Sequence, residues 1–237
     1  MMDNAKKYQI WFFAGGDHGK GSPNLFTRSF IRLMDDRYGP NFRVVEGIYN
    51  RYPFLNVFWA LGHAQRQEPR PDKIRLLKEP YQQIVSVMER QDTGLFLISS
   101  SYGSVVAAQT ACYLAREIKS GKLISLPFHV ALGASMISKK SELYKQLMQY
   151  QADGIIAKIV FDELQDEGDN SIGLGGTSRI KAYLHALGIC FPFLTWKYSG
   201  PSFLNTNPET GHLHRRRAQT LEKAEDFMRI MEKMVAN

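Results

Sequence analysis

The stretch that most constrains the chain is 95–108, Leu-Phe-Leu-Ile-Ser-Ser-Ser-Tyr-Gly-Ser-Val-Val-Ala-Ala. An apolar run of strand length breaks into three serines and Tyr102-Gly103, and apolar residues then return with helical spacing through Cys112 and Leu114. The pattern reads as strand, sharp turn, helix. In a turn of that kind the middle residue is raised on a strained backbone with its side chain exposed, and the amide after it points at the start of the helix. Small flanking residues are therefore required. Ser101 is the middle residue, with Ser99 and Gly103 around it. An activated serine at such a turn is marked by Gly-x-Ser-x-Gly; the second glycine is present here as Gly103 and the first is replaced by Ser99. The plainer alternative is a buried strand entering a helix through a serine-rich turn.

With 237 residues, 44% of them hydrophobic, the chain buries one sizeable core, and no stretch looks like a linker, so a single domain over 1–237 is expected. The net charge of +7 is spread through predicted helices and interleaved with 23 acids, which reads as a solvated basic surface and not as a nucleic-acid interface. Cys112 and Cys190 lie in apolar patterns without metal or disulfide spacing and are expected as buried thiols. Lys6 and Lys7 precede an apolar run at 10–14 that is too short for an export signal, and no stretch approaches a membrane span. A cytoplasmic protein is the expectation.

In chain order, 8–14 predicts a central strand, followed by the loop Gly15-Gly16-Asp17-His18-Gly19-Lys20-Gly21-Ser22. As a phosphate cradle the loop misses two defining positions, with Ala14 at the first glycine and Gly21 at the hydroxyl. As a loop of small residues beside a strand end it suits amides aimed at a developing oxyanion. A helix over 23–38 starts with Ser22 as cap and Pro23 in its first turn, and 42–49 is a second strand. The aromatic segment 50–71, which contains His63, reads as a pocket wall or lid. A helix over 72–90 is expected to kink or break at Pro80. Beyond the serine turn, the helix ends near Gly121, then follow a strand at 128–135, a helix over 141–157 and a strand at 158–162. Strand and helix have alternated repeatedly, which predicts a parallel sheet covered on both faces. An acidic loop over 162–170, a helix over 178–187, a strand over 188–194 and an amphipathic helix over 215–235 complete the reading.

A serine at a strand-turn-helix elbow, acids after a later strand and histidines before the closing helix stand in the order Ser, Asp, His. In that order and architecture the chain resembles a compact member of the α/β-hydrolase superfamily over nearly its whole length. The resemblance implies an α/β fold with a mostly parallel central sheet and helices on both faces, a three-layer sandwich, and a serine hydrolase needing neither metal nor cofactor. It implies Ser101 as nucleophile, the Tyr102 amide with that of Gly15 or Gly16 as oxyanion hole, and His212 as general base, with His214 as its rival. The acid is one of Asp162, Glu163, Asp166, Glu167 and Asp169. Asp169 is preferred for the Gly-Asp turn before Ser171-Ile172.

The leading expectation is an esterase, lipase or thioesterase that cleaves a small-molecule acyl substrate through an acyl-enzyme on Ser101. Trp11, Phe12, Tyr49, Phe54, Phe58, Trp59 and Tyr102 offer an apolar lining for it. The alternatives are a non-catalytic binding protein of the same fold and a nucleotide-binding domain using Gly15 to Ser22, with Asp162 for magnesium.

Overall fold

The computed structural model describes residues 7–14, 25–45, 75–90, 93–100, 103–124, 127–133, 137, 141–162 and, in the C-terminal region, 225, 228, 229 and 233. The strands are β1 Lys7–Phe13, β2 Phe42–Val45, β3 Thr93–Ser100, β4 Phe128–Gly133 and β5 Ile156–Asp162. The helices between them are α1 Leu25–Tyr38, α2 Arg75–Arg90, α3 Gly103–Lys119 and α4 Glu142–Ala152, with a 3-10 turn at Gly39–Asn41. The five strands form one sheet in the order β2-β1-β3-β4-β5, and every pairing is parallel. This is an α/β protein with the parallel sheet that the alternation predicts.

The central strand β3 shows why. Its residues from Leu95 to Ser100 are all buried, as a strand covered on both faces must be. Period-two alternation divides the apolar residues into two clusters. Ile10, Phe12, Phe42, Phe96, Ile98 and Ala131 pack with Phe30, Ile31 and Met34 of α1. Trp11, Phe13, Leu95, Leu97, Val130 and Leu132 pack with α2, α3 and α4 through residues such as Ile84, Val105, Ala108 and Leu147. Topology accounts for the split: the chain steps from β1 to β2 in one direction across the sheet, and every later step runs the other way. Crossovers of one hand then send α1 to one face and the other three helices to the opposite face.

Several boundaries differ from the expected ones. The helix expected over 141–157 ends at Ala152, and β5 begins at Ile156, before the expected 158. Gly154 adopts a left-handed φ of 73°, while the Gly154 and Ile155 amides donate to the Gln151 and Tyr150 carbonyls, closing the helix with a tight glycine turn. The start at Ser141 is as expected, because its hydroxyl accepts from the Tyr144 amide at 3.1 Å. Helix α2 continues through Pro80. Six residues into the described helix, the ring removes one bond, to the Leu76 carbonyl, while the amphipathic packing of Ile84, Val87 and Met88 holds the remainder. Within the described residues β2 ends at Val45 and β4 at Gly133; the segment 50–71 with His63, and the elements expected over 178–187 and 188–194, lie outside those residues. Among the described residues no helix is long and apolar enough to cross a membrane.

Candidate functional site

In open parallel sheets ligands bind outside the carboxyl ends of the strands, at the point where the strand order reverses. Here that point lies between β1 and β3, which are hydrogen-bonded neighbours while β1 also pairs with β2 on its other side. The serine turn leaves the carboxyl end of β3 at this point.

Gly103 shows how closely α3 meets β1. A Cβ at this position would fall into the Phe13 carbonyl oxygen, and would lie 2.6 Å from the Ala14 carbonyl oxygen and 2.7 Å from the Phe13 carbonyl carbon. The contacts are all backbone, so no side chain can move aside. The first turn of α3 is butted against the carboxyl end of β1. The positive end of its dipole, worth roughly half an elementary charge, lies at the β1–β3 junction.

Polar burial concentrates at the same place. Ser99 and Ser100 are fully buried at the end of β3, and Ser104, Gln109 and Thr110 are buried on α3. Away from this strand and helix, the buried polar residue among the described ones is the capping Ser141. Ser99 donates to the Ala131 carbonyl across the sheet at 3.3 Å. The Ser100 hydroxyl has no hydrogen-bond partner among the described residues. Ser100 pairs with Gly133 on one side, and Ala14 lies one step beyond the Phe13–Ser99 pair on the other. Gly133 in turn pairs with Asp162, so the backbone register places one of the candidate acids at the level of Ser100, two strands away.

Ser101, Tyr102, Gly15, Gly16, Asp169, His212 and His214 lie outside the described residues, as do Tyr49, Phe54, Phe58, Trp59 and Cys190. Of these, Gly15, Ser101 and Tyr102 have described neighbours, Ala14, Ser100 and Gly103, and these three converge on one junction. The proposed apolar lining needs a correction. Trp11 and Phe12 are 4% and 0% exposed and belong to opposite core clusters, because adjacent strand residues face opposite ways. Phe12 packs edge-on against Phe30, with ring centres 4.9 Å apart. Neither lines a pocket. Cys112 is the buried free thiol expected, and burial pushes its pKa up to about 12 against the opposing pull of Arg116, so it is no nucleophile at neutral pH.

The burial of Ser100 was not legible in the sequence. Comparison with known proteins finds no matching family model, curated protein or solved structure.

Proposed function

We propose that the protein is a compact serine hydrolase of α/β-hydrolase type, a three-layer sandwich acting on an ester or related acyl bond of a small molecule. The observation that carries this reading is the junction at Gly103. A strand end and a helix start, separated by two residues, meet the carboxyl end of the neighbouring strand so closely that a methyl group has no room. A nucleophile elbow presents its central residue outward, and the central residue in this sequence is Ser101. The strand order β2-β1-β3-β4-β5 also suits a first loop after β1 lying beside the elbow after β3.

In this mechanism Ser101 Oγ attacks the acyl carbon as its proton passes to His212, and the oxyanion is held by the amide of Tyr102 and that of Gly15 or Gly16. A carboxylate, Asp169 by the sequence reading, keeps the imidazole in the right tautomer. The imidazolium then gives its proton to the departing alkoxide or thiolate. A water molecule, deprotonated by the same imidazole, releases the acid and restores the serine hydroxyl.

The test is labelling of the full-length protein by a fluorophosphonate, which forms an Oγ–P bond with loss of fluoride. Labelling that is abolished in Ser101→Ala is the expected result. A parent that stays unlabelled beside a reactive control hydrolase would mean that the fold serves binding and not acyl transfer.

A further inference from the structure

We draw no further inference here: the strongest candidate, the side-chain cluster on the α1 face of the sheet where the half-buried His129 of β4 stacks on Phe96 with ring centres 4.5 Å apart and stands in register with Lys158 of β5, carries nothing because nothing among the described residues shows what covers that face at its level.

Discussion

Gly103 shows how one missing side chain sets the geometry of a site. Its space is bounded by the carbonyls of Phe13, the last residue of β1, and of Ala14, which follows it; the Phe13 carbonyl cannot retreat without disturbing the pairing of β1 with β3. In Gly103→Ala the added methyl must push α3 away from the end of β1. The expected penalty is at the upper end of the range for overpacking, about 3 kcal/mol, which lowers Tm by roughly 6–12 °C in a chain of this size. Fluorophosphonate labelling should fall further than stability explains, because the shift acts on the turn carrying Ser101. Measured well below Tm, a variant that is folded by circular dichroism yet labels as fast as the parent would contradict the tight-turn argument. Ser99, which stands where the motif has its first glycine, is tolerated for a physical reason: its hydroxyl bonds the Ala131 carbonyl, so the position accepts a small polar side chain.

At the scale of elements, what was legible followed from periodicity. Buried strands such as β3 and amphipathic helices such as α2 announce themselves by pattern, and alternation of the two implies parallel pairing. Helix ends were harder, because the stop at Gly154 depends on one left-handed residue inside an apolar run that continues as strand. Neither the partner of β1 nor the burial of Ser100 could be read, since both depend on which strands meet. One tertiary tie is also invisible in sequence: Lys119 ends α3 and donates at 2.7 Å to Asp153, the residue that caps α4. The hydrogen bond from Lys119, joined by one from Gln149, lowers the Asp153 pKa, and the same bond with Asp153 raises that of Lys119. A lowered carboxylate pKa stabilises above the unfolded value and loses that contribution as pH falls through the folded one. A raised ammonium pKa stabilises below its unfolded value and loses it as pH rises through the folded one. The tie is therefore at full strength between the ordinary carboxylate and lysine ranges. Lys119→Met should lower Tm slightly at neutral pH, with the difference from the parent vanishing in acid and shrinking in 0.5 M salt. A difference that persists in acid would assign the effect to packing.

The whole molecule is held by residues from its two ends. Met228 packs against the cluster that contains Ile10, Phe12 and Phe30, so the C-terminal helical residues meet the first strand on the α1 face of the sheet. Glu225 and Arg229 are exposed and pair at 3.8 Å one turn apart, while Met228 between them is half-buried. If the closing helix is part of one cooperative core, a charge at Met228 must be felt at β1. Met228→Asp places a carboxylate against phenylalanine and isoleucine, and at this half-buried position a loss of about 1–3 kcal/mol is expected. Glu225→Ala, which removes only an exposed pair, should stay within about 0.5 kcal/mol of the parent. In urea, Met228→Asp should move the midpoint without changing the slope, and tryptophan fluorescence should follow the same transition as helical circular dichroism. A closing helix that merely leaned on the sheet would leave the fluorescence midpoint in place while the circular dichroism separated into two steps. His212 and His214 precede these residues in the sequence, so if the proposed hydrolase reading holds, the same variant should also slow fluorophosphonate labelling well below the unfolding midpoint.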